Sequence, residues 1–419
     1  MVGQLLARFR VFRRQRREQL RRAVLDHTDA TALATQAPPD ASQVLLLRTD
    51  SIGDYLLFRP WLRQLASEVR GRGQRLTLLA NALWAPLARA WDADCFDELL
   101  ALDVGRFGRD IAYRTEILAS IGAVGFGHII NPLHVRTEAS ENFIRFLRAP
   151  VRIASQGAHQ SGPWFAALNA GYSQLLPSAP EVRFEYVRNG EFFANWCRAT
   201  RASGPEAVAP LPAAVPDEQL AQQQLAIAPL GLPSAVQAAG QAEAVAGPYV
   251  VLFPGASARQ KQWPPSHFAQ LAQALGAALG PSIRLVLAGS SADEVLARRI
   301  VQAVGAATRL DNRCGQTDLP GLAALLAGAH LVVSNDTAAA HFAVLAGTPT
   351  LVLLMGENYG KFFPYPPTLL RAPCTCLFPP SQEARFAQGN FSAPAHDPDI
   401  GQVTVARALT AARALVAGN

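Results

Sequence analysis

Apolar and polar positions run along this chain in two sets of the same design. After a polar connector ending in Pro38-Pro39, the run Val44 to Leu47 reads as a buried strand, and a helical pattern follows from Tyr55 to Val69. Further short apolar runs at 76–80, 98–102, 124–130 and 151–154 are separated by helical patterns at 82–91, 113–121 and 138–147. Parallel strands need a crossover and a helix supplies it, so this βαβα order predicts a mostly parallel sheet with helices on both faces. A second set opens at 249–253 and continues with strands at 283–288, 331–334 and 350–354, alternating with helices at 266–279, 293–304, 319–327 and 338–345. Residues 203–247 break the pattern: they are rich in Ala, Pro and Gln, hold one short helical stretch at 217–226, and read as a linker.

The predicted fold class is therefore α/β, with two Rossmann-like, doubly wound domains. A chain of 419 residues exceeds what one core usually serves, in agreement with that division. The expected boundaries are an N-terminal arm at 1–40, a first domain at 41–202, the linker at 203–247, a second domain at 248–400 and a C-terminal helix at 401–419. In such folds function belongs at the carboxyl ends of the strands, and a cleft between two domains is the default ligand site.

Charge changes the picture at one end only. Residues 1–22 hold eight arginines and one glutamate, so an overall net charge of +6 leaves the rest of the chain close to neutral. A globally basic nucleic-acid binder is excluded, and a local basic arm is indicated. Leu5, Leu6, Phe9, Phe12 and Leu20 interleave with those arginines, the pattern of an amphipathic segment lying on anionic lipid; a solvated, frayed arm is the alternative. No apolar run is long enough to span a bilayer, and the arm lacks the apolar stretch of a secretory signal. Five cysteines without regular spacing point to a reducing compartment, and Cys374 and Cys376 lack the further ligands that zinc needs.

The chain has no G-x-G-x-x-G after a first strand, no Walker A sequence and no G-x-S-x-G elbow, which disfavours nicotinamide, flavin, P-loop and serine-hydrolase chemistry. Two loops after strands carry what remains. The first, Phe253-Pro254-Gly255-Ala256-Ser257 followed by Lys261 and Trp263-Pro264, has the glycine that lets backbone N–H groups approach an anion and a lysine to match its charge. Only two lysines, Lys261 and Lys361, occur in the sequence. An ordinary strand-to-loop corner with an exposed lysine is the alternative. The second loop, Ser334-Asn335-Asp336-Thr337-Ala338, opens a helix that Asp336 or Thr337 can cap, and the free first-turn N–H groups of that helix suit an anion. His341 lies four residues beyond Thr337, either facing the same side or sitting in the packing as a satisfied histidine.

Together with Ser51-Ile52-Gly53-Asp54 after the first strand, and with Gly347-Thr348-Pro349, these loops resemble the family 9 glycosyltransferases in order and spacing, over roughly residues 43–360. That family includes the ADP-heptose:lipopolysaccharide heptosyltransferases. The resemblance implies a GT-B fold, with the nucleotide-sugar donor on the C-terminal half and the acceptor on the N-terminal half. It also implies inverting transfer without metal or cofactor. Asp54 then stands where the family's proposed base does, within an acceptor-side loop of Asp50, Ser51 and Gly53. Helix capping is the alternative role for Asp54, and Asp50 is the rival base. Ser257, Lys261, Asp336, Thr337, Ala338 and His341 would bind the donor, and Asp293 or Glu294 would contact its nucleoside.

The chain departs from the family in carrying Ala338 where many members have glycine, and in a shifted match at Asp293 and Glu294. The last helix of GT-B proteins often crosses back to the first domain, and 401–419 is expected to do so. The implied partners are a nucleotide-sugar donor, an anionic glycolipid or glycan acceptor and an anionic membrane surface met by residues 1–22, with no nucleic acid. The implied location is cytoplasmic, on the inner face of a bacterial inner membrane. A non-catalytic sugar-nucleotide or glycan-binding protein is the alternative function, and an epimerase of GT-B type lacks candidate acids.

Overall fold

The computed structural model describes residues 2–158, 163–201, 216–242, 247–306, 308–391 and 398–417. They form two compact units. The first holds the chain up to Ser51, Trp61–Pro180 and the described residues 189–201; the second holds Ile52–Pro60, Glu181–Arg188 and the described residues after 215.

The sheet of the first unit contains β1 (Asp40–Arg48), β2 (Arg75–Asn81), β3 (Glu98–Leu102), β4 (Phe126–Asn131), β5 (Val151–Ser155) and β6 (Gln174–Leu176) in the order β3-β2-β1-β4-β5-β6. That of the second contains β7 (Tyr249–Phe253), β8 (Arg284–Leu287), β9 (Leu310–Asn312), β10 (Leu331–Asn335), β11 (Thr350–Leu353) and β12 (Cys374–Leu377) in the order β12-β11-β10-β7-β8-β9. Every pairing is parallel. The expected pair of doubly wound domains is thus present. In each sheet the strand order reverses beside the first strand, between β1 and β4 and between β7 and β10. These switch points are where open α/β sheets bind ligands, and all three singled-out loops leave β1, β7 or β10.

Burial explains why the strands read as unbroken apolar runs. Leu45, Leu47, Leu79 and Ile129 in the first unit, and Val250, Leu252, Val333 and Leu351 in the second, are fully enclosed because helices cover both faces. Each such side chain contributes about 1.5–3 kcal/mol relative to exposure.

Three parts differ from the sequence reading. The arm is a helix, Val2–Ala32, and its C-terminal turns are docked. Leu25, Thr28 and Asp29 are buried, and Asp29 takes the Arg114 guanidinium (Nη2–Oδ2 2.7 Å) together with the Asn142 amide at 2.9 Å. Phe12, Leu20 and Val24 are exposed, while the side chains of Leu5, Leu6 and Phe9 lie outside the described residues.

Within the expected linker, 203–215 and 243–246 lie outside the described residues. The rest folds as the helices Asp217–Leu225 and Ser234–Ala242, which bury Leu220, Ala221 and Val236 in the second unit. The first of these is the short helical stretch read at 217–226, and the second has no counterpart in the sequence reading; Asp217 accepts from Arg183 at 2.9 Å, and between the helices the Ala228 carbonyl accepts from the Tyr186 hydroxyl at 2.7 Å.

The C-terminal helix, Val405–Ala417, was expected to cross back to the first domain and instead lies in the packing of the second unit. Its Ala408, Ala412 and Leu415 share that unit's core with Leu351 and Leu353. Trp263 fixes the turn that leads into it, donating from its indole nitrogen to the Val403 carbonyl at 2.7 Å.

Candidate functional site

Register brings the β7 and β10 loops together. Pairing of Val250 with Leu331 and of Phe253 with Ser334 ends the two strands side by side, and Asn335 then ties the two loops to each other. Its side-chain amide donates to the carbonyls of Pro254 (2.8 Å) and Gly255 (3.3 Å), and its oxygen accepts from the Trp263 amide at 3.1 Å. Asn335 is fully buried, so each of these bonds satisfies a group that water cannot reach.

On that frame Lys261, in the turn Arg259–Lys261, places its Nζ 3.5 Å from Asp336 Oδ2 and 3.9 Å from Glu357 Oε2. Asp336 is largely buried. Burial raises its carboxyl above the usual range, Lys261 opposes that rise, and Glu357 adds to it. One cation therefore faces two carboxylates, an arrangement open to a further anion only through the lysine. Ser257 is exposed on the same β7 loop.

Thr337, in extended backbone, caps the helix Ala338–Ala346, its hydroxyl accepting from the Ala339 amide at 3.3 Å. Capping is thus its observed role, and it leaves the helix's positive end at the carboxyl edge of β10. Ala338 is the first helical residue and sits there without strain. Gly347 ends the helix in the left-handed region (φ 79°), and the Thr348 hydroxyl donates to the Leu326 carbonyl at 2.9 Å. The Gly347-Thr348-Pro349 stretch is therefore built into the packing.

His341 is enclosed. Its Nδ1 lies 2.7 Å from the Tyr365 hydroxyl, the rings of Phe362 and Phe363 flank it, and burial lowers its pKa to about 3, so the ring is neutral. It is a packed histidine with its Nδ1 bonded to Tyr365.

Asp293 and Glu294 part company. Asp293 accepts from the Ser290 amide (2.9 Å) and hydroxyl (2.7 Å), closing a capping box, and its carboxyl fills the space beside Gly255, where a Cβ would come within 2.7 Å of it. Glu294 pairs with Arg298 on the helix surface at 3.1 Å.

After β1, Asp50 is tied down. Its carboxylate meets the fully buried Arg48 at 2.9 Å, and its carbonyl accepts from Trp84 (2.9 Å) and Asn81 (3.0 Å). Ser51 occupies the cap position of the helix Ile52–Gly71 without a side-chain cap bond, and Asp54 lies half-buried in the first turn. That turn belongs to the second unit: Gly53 rests against the His341 ring, and Arg59 donates to the Gly231 carbonyl at 3.1 Å. A separate cavity of about 650 Å³ in the first unit, lined by Val44, Arg72, His128 and Trp196 among others, holds none of these residues.

Residues 212–371 match the family model described as glycosyltransferase family 9 (heptosyltransferase). Residues 212–371 are a family 9 glycosyltransferase domain. A curated relative, lipopolysaccharide heptosyltransferase 1 of Pseudomonas aeruginosa, is 31% identical over 189 residues, which span 42% of this chain and 46% of that protein. The match therefore covers about half of the relative's length. Two solved structures resemble the chain more widely. The family 9 glycosyltransferase of Veillonella parvula has a TM-score of 0.62 at 16% identity, over 92% of this chain and 100% of its own. The E. coli heptosyltransferase WaaC with ADP-2-deoxy-2-fluoro heptose has a TM-score of 0.56 at 19% identity, over 88% and 98%. At those identities the likeness establishes the fold, which is GT-B.

Within the family 9 domain, sequence reasoning missed Asn335, Glu357 and Tyr365. Glu357 follows the carboxyl end of β11, where the same strand-end rule would have found it. Tyr365 is a packed aromatic residue whose hydroxyl engages the singled-out His341.

Proposed function

We propose that this chain is an inverting, metal-independent glycosyltransferase that moves a sugar from a nucleoside-diphosphate donor to a lipopolysaccharide-core or other cell-surface glycan. The observation that carries the reading is the meeting of Lys261 with Asp336 beside the Thr337-capped helix start, at the switch point of the family 9 domain. ADP-heptose is the donor proposed, since the curated relative is named a lipopolysaccharide heptosyltransferase and the WaaC structure holds an ADP-heptose analogue.

In this mechanism Asp54 takes the proton of an acceptor hydroxyl as its oxygen attacks the anomeric carbon from the face opposite the nucleotide. The bond from that carbon to the diphosphate oxygen breaks, and the diphosphate leaves with the electron pair. Lys261, the Ser257 hydroxyl and the first-turn amides at Ala338 stabilise the charge that develops there. Asp336 holds Lys261 in place and orients the donor. Asp50, already ion-paired to Arg48, is the weaker base.

The basic helix Val2–Ala32 would hold the protein at the cytoplasmic face of an anionic membrane, near a lipid-linked acceptor. Its exposed Phe12, Leu20 and Val24 would enter the headgroup region, with Arg13, Arg16, Arg17 and Arg21 beside them. Among the described residues, no helix is long and apolar enough to cross a membrane.

The test is calorimetric titration with a panel of nucleoside diphosphates in the absence of divalent metal. Selective binding of ADP supports the reading, and equal indifference to the whole panel contradicts it.

A further inference from the structure

His341 is a buried histidine to which the proposed mechanism assigns no step. His341 stands on the helix Ala338–Ala346, one turn beyond the Thr337 cap, and is 4% exposed. Three aromatic side chains fix its ring: Tyr365 bonds Nδ1 at 2.7 Å, Phe363 lies 4.7 Å away between centroids, and Phe362 meets it edge-on at 5.8 Å. The remaining side of the ring faces Gly53. A Cβ built on Gly53 would lie 2.8 Å from His341 Cδ2 and 3.0 Å from Nε2, closer than a side chain tolerates. Glycine is therefore required at 53 because the imidazole fills the space, not because the backbone needs a left-handed turn; no positive φ occurs there.

Gly53 is the residue before Asp54, in the first turn of the helix Ile52–Gly71. A ring that cannot tilt, since its other sides are held, fixes how close that turn comes to the helix Ala338–Ala346. We propose that His341 is a positioning residue: the Tyr365–His341–Gly53 stack sets the place of Asp54 relative to the donor loops. This rests on the reading of Asp54 as base, and it gives His341 a task other than binding donor phosphate. A neutral ring whose Nδ1 is occupied is suited to that task. A catalytic group misplaced by an ångström loses on the order of a hundredfold in rate while ground-state binding changes little.

The experiment is a double-mutant cycle of Gly53→Ala and His341→Ala, read by transfer kinetics, ADP calorimetry and thermal unfolding. Gly53→Ala is expected to lower kcat at least tenfold, with the donor KM and the ADP Kd changed less than about threefold. Removing the ring should relieve the clash, so that Gly53→Ala in the His341→Ala background costs less than about threefold in kcat. Tyr365→Phe, which keeps the ring's neighbours but frees it to tilt, should lower kcat and leave ADP affinity unchanged. Persistence of the full Gly53→Ala loss without the imidazole overturns the proposal. So does a tenfold loss of ADP affinity in His341→Ala with kcat intact, which would return His341 to the donor. The unfolding cycle reads the Gly53–His341 contact without catalysis: coupling in unfolding but not in kcat refutes positioning alone, and absence of transfer by the unaltered protein refutes the glycosyltransferase reading and positioning with it.

Discussion

Lys261 and Asp336 meet at 3.5 Å although 75 positions separate them in the chain, and their meeting is produced by the parallel pairing of β7 with β10 and by the Asn335 amide that bridges the loops after them. In the proposed mechanism the lysine is the charge that meets the diphosphate, and it already serves as counterion to a largely buried carboxylate.

Lys261→Ala is accordingly expected to have two effects. ADP affinity should fall ten- to a hundredfold, the usual worth of a charge-assisted contact of about 1.5–3 kcal/mol. Asp336, losing the cation that opposes its raised pKa, should take up a proton at higher pH than in the unaltered protein. Calorimetry reads the first effect and the pH profile of unfolding reads the second. Unchanged ADP binding would remove Lys261 from the donor site.

Burial of His341 makes stability depend on pH in a definite direction. Its folded pKa is lowered to about 3 from an ordinary 6.5, so below 6.5 the unfolded chain binds a proton that the folded protein refuses. The contribution is fully present above pH 6.5 and is lost as pH falls toward 3, at about 1.4 kcal/mol per unit. Urea unfolding at pH 7.5 and 5.5 should show that loss, and His341→Gln should flatten the slope by about one proton. An equal slope in the variant would place the effect elsewhere.

The helix Val2–Ala32 is expected to bind vesicles of phosphatidylcholine with a third phosphatidylglycerol and to ignore pure phosphatidylcholine, with affinity falling as salt rises. Replacing Phe12, Leu20 and Val24 by serine should weaken sedimentation with those vesicles at least fivefold while leaving transfer to a soluble acceptor unchanged. Sedimentation that is indifferent to both lipid charge and these three residues would refute the membrane role.

Much of the frame was legible because buried parallel strands are written as unbroken apolar runs. Val44 to Leu47 and Tyr249 to Phe253 announce themselves in that way, and the loops after them inherit a known place at the strand ends. What escaped was set by partners distant in sequence. The helix Ser234–Ala242 has a small apolar face, and the stretch before it is tied by Arg183 to Asp217 and by Tyr186 to the Ala228 carbonyl, residues that no local pattern connects to it. The C-terminal helix is amphipathic wherever it packs, so periodicity alone could not choose its sheet. The neighbours of His341, Tyr365 and Gly53, are 24 and 288 positions away and could not be read from its own motif. The capping box that the Asp293 oxygens close depends on the exact place of the helix start, which periodicity does not fix.

The account's central claim is that Asp54 acts as base in transfer from a nucleotide sugar, and the most direct measurement is ADP release from ADP-heptose with a lipopolysaccharide-core acceptor, in EDTA, for the unaltered protein and for Asp54→Asn. The account predicts acceptor-dependent release by the unaltered protein. In the variant, release should fall by a hundredfold or more, the usual worth of a positioned general base, with ADP affinity unchanged. Turnover by Asp54→Asn within a few-fold of the unaltered protein would contradict it, leaving Asp54 a helix-start residue and Asp50 the base to test.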